Sequence, residues 1–143
     1  MSREGFKAIC GSTTADIVSR ETGLPIKMEE NPKSLIAPPC YFMEGINLVT
    51  EGAVTLNQVF NIIDKDPSLY RLDTGVTQLC YYMLLADRIN IILGGAENVA
   101  HEDISFIQRG ITPRHSIIRM VAEKLRILGK LVVIEEPGGK NNR

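Results

Sequence analysis

Apolar residues fall along the chain in two alternating patterns: short continuous runs, and longer stretches where they recur every three or four positions. Residues 6–10 make a short apolar run closed by Gly11, which predicts a buried strand. Ser12, Thr13 and Thr14 are helix-capping types. Behind them Ala15, Ile17, Val18 and Glu21 carry a helix that Gly23 stops, with Pro25 beyond. Residues 26–28 predict a brief strand. Residues 29–39 hold Pro32, Pro38 and Pro39 without periodicity and read as a surface loop, anchored by Tyr41, Phe42 and Met43. Residues 46–49 form the next strand. Thr55 then caps a helix whose buried face is Leu56, Val59, Phe60 and Ile63, ended by Asp66-Pro67. Asp73 or Thr74 caps a helix bearing Val76, Leu79, Cys80, Met83 and Leu84, and residues 88–93 read as a strand running into Gly94-Gly95. The last helix has Thr112 as cap, Pro113 at its first position and an inner stripe of Ile117, Ile118, Val121, Ala122, Leu125 and Leu128; Gly129 stops it, and residues 131–134 form a final strand.

Strands separated by helices imply an α/β fold: a three-layer sandwich with a mostly parallel sheet of four or five strands and helices on both faces. Composition sets its scale. The 143 residues, 44% hydrophobic and 23% charged, suit a single domain over residues 1–136, with a disordered polar tail at 137–143. Sixteen basic against seventeen acidic side chains give a net charge of −1, which argues against nucleic acid or an anionic membrane surface as partner. No apolar run reaches the roughly 20 residues of a spanning helix, no signal-peptide core follows the N-terminus, and the expected location is cytoplasmic. Cys10, Cys40 and Cys80 form no CxxC pair, so neither a disulfide framework nor a zinc cluster is expected, and no cofactor is.

The candidate chemistry lies in the turns after three strands: Gly11-Ser12-Thr13-Thr14, Thr50-Glu51-Gly52, and Gly94-Gly95-Ala96-Glu97-Asn98. In a parallel sheet these share the carboxyl edge, where open α/β folds bind ligands. Hydroxyls and unpaired amide hydrogens at a helix start suit a phosphate or carboxylate held by Ser12, Thr13 and Thr14 and lined by Gly52 and Gly94. The same residues also serve simply as caps and tight turns. Glu51 and Glu97 are candidate paired carboxylates, and Asp16, Glu51 and His101 a conceivable metal set without a spacing signature; both sets also read as solvated loop residues. Arg114, His115 and Arg119 form a modest basic patch near a helix start, where the dipole does not favour cations, pointing to an acidic partner or to plain solvated charge.

Three segments carry a family resemblance. Cys10-Gly11-Ser12-Thr13-Thr14-Ala15-Asp16-Ile17-Val18-Ser19-Arg20-Glu21, then Pro38-Pro39 with Glu44-Gly45-Ile46-Asn47-Leu48-Val49-Thr50-Glu51-Gly52, and Asp87 to Asn98 with His101, resemble segments of the stage II sporulation protein E (SpoIIE-like) serine/threonine phosphatase family. In that family they follow the catalytic type 2C phosphatase domain, whose aspartates hold two divalent metals. This chain contains no Asp-Gly and no Asp-Asp pair. The resemblance therefore implies the carboxyl-terminal domain, without phosphatase activity of its own. Ser12 stands where the family has a second glycine and Asp16 where it has asparagine; an acidic Asp16 facing the pocket would oppose a bound phosphate.

The expected function is that of a non-catalytic accessory or regulatory domain. It binds a small anionic ligand or a partner, the phosphatase domain of its parent first among them, through Gly11, Ser12, Thr13, Thr14, Thr50, Glu51, Gly52, Gly94, Gly95, Asn98 and His101. The alternatives are a small stand-alone enzyme working at the Ser12, Thr13, Thr14, Glu51 and Glu97 edge, and a structural module forming a homodimer through its Pro-rich loop with Tyr41, Phe42 and Met43.

Overall fold

The computed structural model describes residues 5–28, 41–94 and 108–136. In chain order they form β1 (Ala8–Cys10), α1 (Ser12–Thr22), β2 (Lys27–Met28), β3 (Tyr41–Met43), β4 (Ile46–Thr50), α2 (Ala53–Ile62), a 3-10 turn (Pro67–Leu69), α3 (Gly75–Leu85), β5 (Arg88–Ile92), α4 (Arg114–Ile127) and β6 (Leu131–Glu135). The chain is thus mixed α/β. No described helix is long and apolar enough to cross a membrane. The Pro-rich stretch 29–39 and the tail 137–143 lie outside the described residues.

The strands pair as two sheets, which corrects the expectation of one mostly parallel sheet. The first has the order β1-β4-β3-β2 and the second is β5-β6. β1 and β4 are parallel, with Ala8, Ile9 and Cys10 opposite Leu48, Val49 and Thr50. β3 runs antiparallel to β4, and β2 antiparallel to β3. The change of direction has a local cause. Met43 pairs with Ile46 across Glu44-Gly45, and Gly45 takes φ 82°, a left-handed conformation that glycine adopts without steric cost. Tyr41, Phe42 and Met43 are therefore a strand rather than a loop anchor. β5 and β6 are parallel in an unbroken register from Arg88 opposite Leu131 to Ile92 opposite Glu135.

Alternation along β1 and β4 sends their side chains to two separate cores. Ile9 and Val49 pack with Met43 of β3 and Ala15 of α1, joined by Val18, Leu24 and Ile26. Leu48 packs instead with Leu56, Val59 and Ile63 of the α2 segment, Val76, Leu79 and Cys80 of α3, Ile117, Val121 and Leu125 of α4, and Val132 of β6, with Cys10 against them. α1 and α2 consequently cover opposite faces of β1 and β4.

Helix ends refine the sequence reading. Gly11, not a hydroxyl side chain, is the N-cap of α1, and Gly52 rather than Thr55 is the N-cap of α2; Thr55 lies buried in the first turn. Thr74 caps α3, as one of the two expected residues, with a reciprocal capping box to Thr77. Pro113 is the N-cap of α4, one residue later than expected, and Leu128 of the predicted inner stripe is its exposed C-cap.

Candidate functional site

Adjacent parallel strands whose following helices leave to opposite faces open a crevice at their carboxyl ends, the place where open α/β sheets bind ligands. β1 and β4 meet that condition. Cys10 lies opposite Thr50 at the last rung, and the Gly11 N–H continues the ladder by donating to the Thr50 carbonyl at 2.8 Å. The chain then turns into α1 at Gly11 and into α2 at Gly52. The two glycines touch: a Cβ on Gly52 would sit 3.5 Å from Gly11 Cα and 3.9 Å from the Cys10 carbonyl oxygen. Gly11 has φ 130°, a conformation that L side chains rarely adopt.

Arg114, the first residue of α4, lies over this pair. Its Cδ is 3.9 Å from the Cβ position of Gly52 and its Nη1 3.8 Å from that of Gly11, where Thr14 Oγ1 also stands at 3.8 Å. α2 and α4 bring it there by packing with their N-termini at the same end. Near that end Asn57 holds the backbone of Thr112, its oxygen accepting from the Thr112 N–H at 3.0 Å and its amide donating to the Thr112 carbonyl at 2.8 Å. Towards the other end Lys124 donates to the Phe60 carbonyl at 2.7 Å, reaches Asp64 at 3.3 Å and lies over the Phe60 ring. None of α1, α2 and α4 has an acidic residue in its first turn or a side-chain cap. Helix starts carry partial positive charge from N–H groups without intrahelical partners, and the Arg114 guanidinium adds positive charge beside them.

Acidic groups occupy the β3 side of the same edge. Tyr41 lies opposite Val49 in the register, next to the end of β4. Burial pushes its phenol up, and the carboxylates of Glu51 and Asp16 push it further. Asp16 is exposed and Glu51 half-buried. Thr50 is buried and its hydroxyl donates to the Glu51 carbonyl at 2.9 Å. Burial also raises the Cys10 thiol, an effect that a hydrogen bond with Thr50 opposes without reversing. That holds Cys10 in the neutral form, the wrong state for a nucleophile.

Of the expected site residues, the structure brings together Gly11, Thr14, Thr50, Glu51 and Gly52. The backbone of Ser12 and Thr13 forms the first turn of α1. Gly94 follows β5 in the second sheet, and no heavy atom stands within 4 Å of its Cβ position, so it does not touch the Gly11–Gly52 pair. Gly95, Glu97, Asn98 and His101 lie outside the described residues. Among the described residues no cluster of three His, Cys, Asp or Glu side chains is placed to hold a metal. Arg119 of the expected basic patch is ion-paired to Glu136 at 2.7 Å, which leaves Arg114 as the arginine of that patch at the glycine edge. Sequence reasoning attached Arg114 to a surface patch and passed over Asn57; the signals were a cation at a helix start and a carboxamide one turn into an apolar helix.

Two cavities lie elsewhere. One of about 440 Å³ is bounded by Lys27, Phe42, Glu44, Asn47 and Asp73, and one of about 390 Å³ lies between α2 and α4 beside Asn57, Phe60, Thr112 and Met120. Neither is lined by Gly11, Gly52 or Arg114. No family model, curated protein or solved structure matches this chain.

Proposed function

We propose that this chain is a non-catalytic accessory domain of the SpoIIE-like phosphatase type. It binds a small anion, a phosphate or a carboxylate, at the paired Gly11 and Gly52 turns, and through that ligand it adjusts the output of a neighbouring phosphatase domain. The observation that carries the reading is the packing of the two helix-starting glycines, close enough that a Cβ on Gly52 would stand 3.5 Å from Gly11 Cα, beneath the Arg114 side chain. The first-turn N–H groups of α1 and α2, which helix geometry leaves without intrahelical partners, are the donors for the ligand, and the guanidinium supplies charge-assisted hydrogen bonds worth about 1.5–3 kcal/mol each. The core residues support a three-layer arrangement around the first sheet, with α1 on one face and α2 to α4 on the other. Glu51 and Asp16 bound the site towards Tyr41 and confine the anion to the Arg114 side.

Inorganic phosphate titrated against the labelled protein, followed by backbone amide NMR, tests this. Saturable shifts at Gly11, Thr14 and Gly52 that vanish in Arg114→Gln are the expected result. Amides that stay in place, or that move equally in Arg114→Gln, refute it.

A further inference from the structure

We propose that Asn57 is a positioning residue whose task is to set Arg114 over the Gly11–Gly52 pair, an inference that rests on the anion reading of that edge. The Asn57 carboxamide is fully engaged. Its oxygen accepts from the Thr112 N–H at 3.0 Å, and its nitrogen donates to the carbonyls of Thr112 at 2.8 Å and of Ala53 at 2.7 Å. Both backbone groups of Thr112 are thereby fixed to α2, the helix whose N-cap is Gly52. Only Pro113 separates Thr112 from Arg114. The proline ring locks φ at −58° there, so little freedom remains between the clamp and the arginine. Clamp, floor and guanidinium thus share one short rigid path: Asn57 to Thr112 to Arg114, and back to Gly52.

Two other features of the α2–α4 seam do not supply this. Apolar packing of Ile117, Val121 and Leu125 is non-directional. The Lys124 contacts to Phe60 and Asp64 lie ten residues from Arg114, about 15 Å along the helix. The Asn57 clamp acts at the end where a shift of about an ångström decides whether the guanidinium reaches the ligand.

The test uses Asn57→Ala, Arg114→Gln and the double variant, with inorganic phosphate as probe, amide NMR as readout and urea melts to measure stability separately. Asn57→Ala is expected to shift the Gly11 amide before any phosphate is added. Gly11 starts α1, on the opposite face of the sheet, and because it also packs against Gly52 at the start of α2, only a shift that disappears in the Arg114→Gln background is carried by Arg114. The variant should also weaken phosphate binding at least about threefold, and both effects should vanish in the Arg114→Gln background, as for groups acting through one another. A lowered urea midpoint with unchanged phosphate affinity and an unmoved Gly11 amide overturns the proposal and leaves Asn57 a stability residue. If the wild-type protein ignores phosphate, the anion reading fails by itself, and the ligand-free Gly11 shift, present in Asn57→Ala and absent when Arg114→Gln is the background, still decides the positioning. Should Asn57→Ala not fold, Asn57→Ser, an uncharged side chain too short to span both Thr112 groups, is read in the same way.

Discussion

Replacing Gly11 by alanine separates backbone conformation from crowding at the candidate site. A Cβ built on Gly11 meets only Arg114 Nη1 and Thr14 Oγ1, both at 3.8 Å, which is ordinary van der Waals contact. Steric exclusion is therefore not the cost. The backbone is: φ is 130°, and holding an L residue there costs about 1–3 kcal/mol. Relaxation to negative φ offers no cheaper route, because the residue is pinned on both sides. Its N–H donates to the Thr50 carbonyl at 2.8 Å and its own carbonyl accepts from the Ala15 N–H at 3.0 Å. Losing both bonds costs about 1–3 kcal/mol at the usual net value of each. Either path predicts that Gly11→Ala lowers unfolding free energy by about 1–3 kcal/mol in urea melts with an unchanged m-value. Gly94→Ala, exposed and with nothing within 4 Å of its Cβ position, is the control and stays within about 0.5 kcal/mol of wild type. A Gly11→Ala midpoint equal to that of the control refutes the reasoning.

Leu125, fully buried among α2, α3 and α4, should lose about 2–5 kcal/mol on replacement by alanine, whereas Ile127→Ala, 80% exposed on the same helix, should change stability by less than about 0.5 kcal/mol; paired urea melts check both. The Cys80 thiol is pushed up to about 12 by burial, so it should resist iodoacetamide at pH 8 in the native protein and react once urea unfolds it. Because its folded value is raised, its contribution to stability is whole below the unfolded value of about 9 and is lost as pH climbs towards 12. Cys80→Ala should therefore flatten the pH dependence of the unfolding midpoint across that window, and an unchanged slope would remove the claim. Lys124→Met, which abolishes the hydrogen bond to the Phe60 carbonyl, the contact with Asp64 and the charge over the Phe60 ring, should cost about 1–2 kcal/mol by the same assay.

The features legible in the sequence are those governed by local chemistry. The stripe Ile117, Ile118, Val121, Ala122 and Leu125 is buried as its spacing requires, and so are Leu56, Val59 and Ile63. Thr74 caps its helix because its hydroxyl and that of Thr77 satisfy each other's backbone. The β3 strand was hidden because Tyr41-Phe42-Met43 follows a proline-rich stretch, although Glu44-Gly45 before Ile46 is a hairpin turn by composition. Partition into two sheets was not legible at all, since apolar runs state that a strand is buried and not which strand it pairs with. The same limit applies to the site. Gly11 and Gly52 announce turns by themselves. Their approach to each other depends on β1 pairing directly with β4, a contact spanning some forty residues. Arg114 reaches them only through the α2–α4 seam, and the Asn57 clamp that fixes it joins residues 55 positions apart, a distance over which no local pattern carries information.

The central claim, that two glycine turns and an arginine converge into one anion site, is tested most directly by crystals soaked in tungstate, a tetrahedral oxyanion with a strong anomalous signal. The account predicts an anomalous peak beside the Gly11 and Gly52 turns, with tungstate oxygens about 3 Å from first-turn amide nitrogens of α1 or α2 and from the Arg114 guanidinium. That peak should be absent from Arg114→Gln crystals. A peak at another part of the surface, with the glycine edge empty in the wild-type protein, would contradict it.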